Sequence, residues 1–381
     1  MAGDHKQRVL ETIAHREPDR VPVGEWGIDH DHVSRILGRH TFWRNRRDTT
    51  LALWQGRRDE VVESMKVDYA ELVEALDYDL VTVPLAPPKL AWEGPPPKEI
   101  QEGVWEDHRG NFYKYAASND SIACLTQAPE REELSEEDVA RAEAAAVEMD
   151  ESVFELLDYF GARYGEERAV LFRDLDIYSG MLEPFGGDYL HQMIVIGTAP
   201  EEIVRLRHAL FLKNCRMVER CAMSGVTVAM QGHDFCMNGG PIFSPGTFRE
   251  VFLPLMGSLN EVIKAAGMHC FFHCCGDTTS LLKDFVDVGY EGYQSIQATA
   301  GVDYSHVKKT YGDRLTMWTG VQCETLVEGS REQVRDEVLG NLELLMPGGG
   351  FIFGSTNSVQ FGANTDNYLY ALDLVRKHGV Y

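Results

Sequence analysis

Short apolar runs alternate with longer amphipathic stretches along most of the chain, in a rhythm that begins near residue 78. The runs are Leu80-Val-Thr-Val-Pro84, Ile122-Ala-Cys-Leu125, Ala169-Val-Leu-Phe172, Val226-Thr-Val-Ala-Met230, His269-Cys-Phe-Phe-His273, Gly292-Tyr-Gln-Ser-Ile296, Leu315-Thr-Met-Trp-Thr319 and Gly350-Phe-Ile-Phe-Gly354. Their length and β-rich make-up predict strands. Helical stretches with recognisable starts lie between the later ones. Thr198-Ala-Pro-Glu201 opens a helix to about residue 223, and Ser244-Pro245 opens one to about 266 with proline at its first position. Ser330-Arg-Glu-Gln333 is a capping box for a helix to about 345, and Asp277 or Thr278 caps one ending near Gly289.

Strands and helices in alternation imply a parallel sheet with helices outside it. About eight such units predict a (β/α)8 TIM-type barrel over residues 76–381, preceded by an N-terminal helical extension over residues 1–75, together one structural domain. An open doubly wound sheet is the alternative, weakened by the lack of a G-x-G-x-x-G turn after the first strand. In the extension, Leu10, Ile13 and Ala14 have helical spacing, and Arg16-Glu-Pro-Asp-Arg-Val-Pro-Val23 breaks the helix into an extended run. Residues 86–98, rich in proline, predict a surface connection. Asp29-His-Asp-His32 reads as a solvated helix cap and Gly348-Gly-Gly350 as a turn.

Composition adds one exclusion. Against 36 Lys and Arg stand 60 Asp and Glu, a net charge of −24 in 381 residues. Nucleic acids and anionic membranes need basic surface, so neither is expected as a partner. Ten of the acids and two arginines fall between Glu130 and Glu151, where Ser135 caps an alanine-rich stretch that reads as a solvated helix. Met1 to Pro22 has no apolar signal core and no run is long enough to span a bilayer, so a cytoplasmic protein is expected. The eight cysteines show no framework spacing and read as buried thiols or metal ligands.

The chemistry of a barrel gathers where its strands end. There the chain places Arg173-Asp174, Gln231-Gly-His-Asp234, His273-Cys-Cys-Gly-Asp277, Gln297, Gly320-Val-Gln-Cys323 and Ser355-Thr-Asn357. Residues i and i+2 of a strand share a face, so His273 and Cys275 can meet one metal ion while Cys274 turns toward Cys270 and Phe272. An imidazole and a thiolate suit Zn²⁺, which needs a third ligand. Cys323 is the natural one, with Asp234, Asn357 or His233 as a fourth ligand or as an outer partner. Asp234 is also the candidate general acid or base, and Gln297, Asn357, His233 and Arg173 are candidate substrate contacts. Buried cysteine is equally common as plain packing, which is the reading for Cys124, Cys215, Cys221, Cys236 and Cys270.

Several of these segments together resemble the uroporphyrinogen decarboxylase superfamily over nearly the whole chain. They are Arg16-Glu-Pro-Asp-Arg-Val-Pro-Val23, Gly240-Pro-Ile-Phe-Ser-Pro245, His273-Cys-Cys-Gly276, Gly348-Gly-Gly-Phe-Ile352 and Asn364-Thr-Asp-Asn367. The resemblance implies a barrel with its site at the C-terminal mouth. True decarboxylases grip substrate carboxylates with an N-terminal arginine motif, and this chain has Glu25-Trp-Gly-Ile28 there. It is more similar to the branch of zinc methyltransferases. That likeness implies Zn²⁺, a separate corrinoid protein carrying cobalamin, and a small methyl donor or thiol acceptor. His273 and Cys275 match the branch's zinc pair, while the position resembling its third cysteine holds Asn357, leaving Cys323 as the substitute. The expectation is a zinc-dependent methyltransferase or demethylase. A uroporphyrinogen decarboxylase-like lyase and a non-catalytic ligand-binding barrel are the alternatives. A homodimer is left open.

Overall fold

The computed structural model describes residues 5–176, 178–198 and 200–381. Seven strands form one sheet: Leu80–Val83, Ala169–Leu175, Val228–Gly232, His269–His273, Gly292–Gln294, Thr316–Val321 and Phe351–Ser355. Their spatial order equals their chain order, and every neighbouring pair is parallel. Each connection between successive strands passes through at least one helix, as parallel neighbours require. Both edges of the curled sheet meet one N-terminal segment, since Val23 bridges Phe353 and Gly24 bridges Leu80, both in parallel. The approach at Gly24 needs glycine, because a Cβ there would sit 2.7 Å from that of Leu80.

Strand parity divides the core. Leu80, Ala169, Leu171, Val228, Met230, Phe271, Trp318 and Ile352 pack with Val9 and Ile13 of the His5–Ile13 helix as one inner cluster. The alternate residues, among them Val81, Val170, Phe172, Cys270, Phe272, Tyr293 and Met317, join the larger cluster that the surrounding helices complete. The same parity carries His273 and Gln294, paired in register, onto the inner face at the C-terminal ends of their strands.

Several expectations need correcting. Seven of the eight apolar runs enter the parallel sheet. The eighth, at Ile122, lies in Ser121–Cys124 of a separate antiparallel sheet with Lys98–Gln101, Val104–Glu106 and Phe112–Ala116. That sheet is largely exposed, with Lys98–Gln101 exposed throughout, so it lacks the apolar alternation that marks a half-buried strand. The helix expected from 245 to 266 is two helices, Pro245–Val251 and Leu253–Ala265. Pro254 in the first turn of the second lacks an N–H and cannot continue the first. Asp277 serves a turn rather than a helix cap, accepting the Thr279 N–H at 3.0 Å, and the helix after it is only Leu282–Asp287.

Asp29 is not a solvated cap. It is buried, pairs with Arg44 Nε at 2.6 Å and accepts the Phe361 N–H at 2.9 Å. His32 beside it is fully buried and bonded to Thr365 Oγ1 and Gln360 O, each at 2.8 Å. The pair therefore ties the N-terminal segment to the C-terminal loop.

The capping boxes at Ser135 and Ser330 form as expected. The acidic Glu136–Val147 helix packs against Pro200–Met223, whose expected start at Thr198-Ala-Pro-Glu201 includes Ala199, outside the described residues. Among the described residues no helix is long and apolar enough to cross a membrane.

Candidate metal centre

His273 ends the fourth strand of the sheet and Cys275 follows two residues on. Their side chains converge, with Cys275 Sγ 3.6 Å from His273 Nε2. The Asp234 carboxylate arrives from the loop after the third strand. Its Oδ1 lies 3.7 Å from His273 Nε2 and accepts the Cys275 N–H at 2.8 Å. One nitrogen, one sulfur and one oxygen thus lie within 4.8 Å of one another. Cys274 points the other way and is buried with Cys270 and Phe272. The chain turns at Gly276, where φ is +84° and a Cβ would come 2.7 Å from Met237 O. Gln297 Oε1 accepts the Gly276 N–H at 2.7 Å and so holds the turn.

Burial pushes the His273 imidazole below its usual value despite the Asp234 carboxylate, so the ring is neutral near pH 7 and Nε2 offers a lone pair. Burial, and then the Asp234 charge, push the Cys275 thiol up to about 12. A bound divalent cation reverses this second effect, because a coordinated thiol loses its proton. Cys275 Sγ is already flanked by Ser295 Oγ and Asn357 Nδ2, both at 3.1 Å, positions from which either group can support a thiolate. The donor set of imidazole, thiolate and carboxylate is one that zinc accepts.

The remaining candidates take different places. Arg173 stacks on the Trp26 indole, 3.9 Å from its centre, and donates to Trp26 O at 3.0 Å. Burial lowers its guanidinium pKa to about 9. His233 Nε2 lies 2.8 Å from Asp176 Oδ1. Burial works to raise the Asp176 pKa, but the bond to His233 and that ring's charge bring it down to about 2. Cys323 stands outside the group of three. Its thiol faces Ser358 O, at 3.5 Å, and Thr356 Oγ1, also at 3.5 Å, at the start of the Cys323–Glu328 helix. Among the described residues, Asp234 is the third side chain that meets His273 and Cys275, and Cys323 lies outside that group.

Three residues had not been singled out. Trp26 packs edge-on to His273 and donates its indole N–H to Nε2 at 3.2 Å. Gln294 accepts from His273 Nδ1 through its Oε1. Glu25 is buried beneath the site, accepting from Ser355 N at 2.9 Å and Ser355 Oγ at 2.7 Å, and burial raises its pKa to about 8. A strand-parity count from Phe271 to its register partner Gly292 would have found Gln294. Nothing in the local pattern marks Trp26, which reaches the site only through tertiary folding.

Two cavities meet at His273 and Asp234, two of the three donors. The larger, about 940 Å³, is lined by Arg173, Asp174, Asp176, Lys213, His233 and Tyr178 among others. The smaller, about 430 Å³, is lined by Arg44, Arg46, Asn119, Asn357 and Phe361 among others. Both are bounded by Trp26, Asp234 and His273.

The chain belongs to the uroporphyrinogen decarboxylase (URO-D) family, whose model matches residues 187–378. The matched half contains Asp234, His273, Cys275, Cys323 and Asn357. It is similar to the methylcobamide:CoM methyltransferase MtaA of Methanosarcina barkeri, 29% identical over 114 residues. That stretch spans 29% of this chain and 32% of the curated relative. It also superposes on a methyltransferase from Methanosarcina mazei with a TM-score of 0.63 and 16% identity, covering 98% of each chain, a likeness of fold.

Proposed function

We propose that this protein is a zinc-dependent methyltransferase that exchanges a methyl group between a corrinoid protein and a small thiol or methylated compound. The observation that carries the reading is the placing of His273 Nε2, Cys275 Sγ and the Asp234 carboxylate within 4.8 Å of one another, with His273 and Asp234 facing two cavities. Transfer between two partners needs two approaches to one reacting atom, and a shared wall of Trp26, Asp234 and His273 supplies them. Both relatives described above carry methyltransferase names, and MtaA is named for methylcobamide.

When bound, zinc supplies a Lewis acid that makes a thiol a thiolate at neutral pH or polarises the atom that leaves the methyl group. His273, Cys275 and Asp234 would hold it. Asn357 Nδ2 and Ser295 Oγ stabilise negative charge on the Cys275 sulfur. The indole of Trp26, held by Arg173, packs edge-on to the imidazole and donates to Nε2, a bond that a metal at Nε2 would replace. In the larger cavity the His233–Asp176 pair stands ready to hold or release a proton. We also read the sheet, joined at both edges to the Val23–Gly24 segment, as the ring of a (β/α)8 barrel over residues 76–381, with residues 1–75 contributing a helical extension.

A decarboxylase of the porphyrin type is disfavoured by the larger cavity. Asp174, Asp176 and Asp234 line it against Arg173 and Lys213, and a substrate with many carboxylates would be repelled. The test is methyl transfer from methylcobalamin to a panel of thiols, set beside CO₂ release from uroporphyrinogen. Zinc-dependent transfer without CO₂ release is expected, and CO₂ release without transfer would reject the reading.

A further inference from the structure

Gln294 is fully buried and ends the fifth strand of the sheet, in register with His273. Its amide has two different ends in two different environments. Nε2 donates to Asn357 O at 3.0 Å and to Ser355 O at 3.5 Å. Two carbonyl oxygens can be met only by the NH₂ group, so the amide has one orientation and Oε1 must face the imidazole. An amide oxygen only accepts, so His273 Nδ1 must carry the ring proton. In a neutral imidazole that leaves the lone pair on Nε2, the atom beside Cys275 Sγ and Asp234 Oδ1, where the Trp26 indole N–H, which can only donate, also meets it at 3.2 Å. The anchor is itself part of the site. Asn357 holds Gln294 with its carbonyl and donates to Cys275 Sγ with its side chain, at 3.1 Å.

We propose that Gln294 is a positioning residue that fixes the ligating tautomer of His273, and that Asn357 links this control to the sulfur ligand. The inference rests on the metal reading above and deepens it. It also gives a reason for an amide at this place. A neutral imidazole, a thiolate and a carboxylate carry two negative charges, which a divalent cation balances. A carboxylate at residue 294 would accept from the ring equally well but would add a third, fully buried charge facing two carbonyl oxygens.

The test uses the full chain, prepared metal-free and labelled with ¹⁵N at histidine. Long-range ¹H–¹⁵N correlation reports the tautomer of His273, assigned by its loss in His273→Gln. Zinc competition against a chromophoric chelator reports affinity. In Gln294→Met, which keeps the length and removes both polar functions, made together with Trp26→Phe so that no indole N–H holds Nε2 as an acceptor, His273 is expected to leave the pure Nδ1–H form and zinc affinity to fall about 10–100-fold below that of Trp26→Phe alone. In Gln294→Glu, on the same Trp26→Phe background, the ring is expected to keep the Nδ1–H form. A Met variant whose His273 stays in that form, or whose zinc affinity is unchanged, overturns the inference. Should the Met variant not fold, the Glu variant decides: an Nε2–H ring overturns the inference and an Nδ1–H ring supports it. If the wild-type chain takes up no zinc, the proposed function fails, while the tautomer measurement still decides the role of Gln294.

Discussion

At the scale of single residues the site depends on burial and on what a cation would do to it. His273 and Cys275 are each held in the uncharged form by desolvation, a state suited to exchanging a thiol proton for a metal. His273→Ala and Cys275→Ala are therefore each expected to lower zinc affinity by at least about 100-fold while leaving the far-ultraviolet circular dichroism unchanged. Retention of the metal in either variant would show that the donors lie elsewhere.

Glu25 offers a separate check. Its folded pKa of about 8 lies above the ordinary value of 4.5, so the native state binds the proton more tightly than the unfolded chain. The stability from this proton is complete below about pH 4.5 and is lost as pH rises toward about 8. Glu25→Gln removes the titration. The stability of the variant relative to wild type is expected to rise across that window by on the order of a few kcal/mol, as read from urea midpoints. A difference independent of pH would contradict the assignment.

Among the elements, the ones legible in the sequence are those whose start is written locally. Ser330 and Gln333 form their capping box because both partners lie within one turn, and Ser330→Ala is expected to cost about 1 kcal/mol in a thermal melt. The Lys98–Cys124 antiparallel sheet was not legible beyond Ile122, because its outer strand buries nothing and so carries no periodicity. The break at Phe252 was marked by Pro254 and passed over. For the site, two-residue alternation brought His273 and Cys275 together on paper. It could not choose the third donor, since Asp234 and Cys323 both follow strands and only the loop after Gly232 decides which of them arrives. Gly276→Ala is expected to destabilise the fold by about 1–3 kcal/mol and to weaken zinc binding, because the strained φ and the contact with Met237 O both move Cys275. Unchanged zinc affinity in that variant would mean the turn does not set the sulfur's position.

On the scale of the whole molecule, the parallel sheet collects residues far apart in the chain at one end, and the N-terminal segment that meets both edges of the sheet also brings Glu25 and Trp26 to the site. The net charge of −24 finds its use here. Part of it belongs to the Glu136–Val147 helix, packed on its neighbour and otherwise exposed, and part lines the larger cavity as Asp174, Asp176 and Asp234. The proposed small neutral or thiol-bearing substrate would meet less repulsion there than a polyanionic porphyrin.

Elemental analysis of the purified protein tests whether His273, Cys275 and Asp234 together hold a metal. About one zinc per wild-type chain is expected, and next to none in Cys275→Ala or His273→Ala. A metal-free wild-type protein that still transfers methyl groups would contradict it.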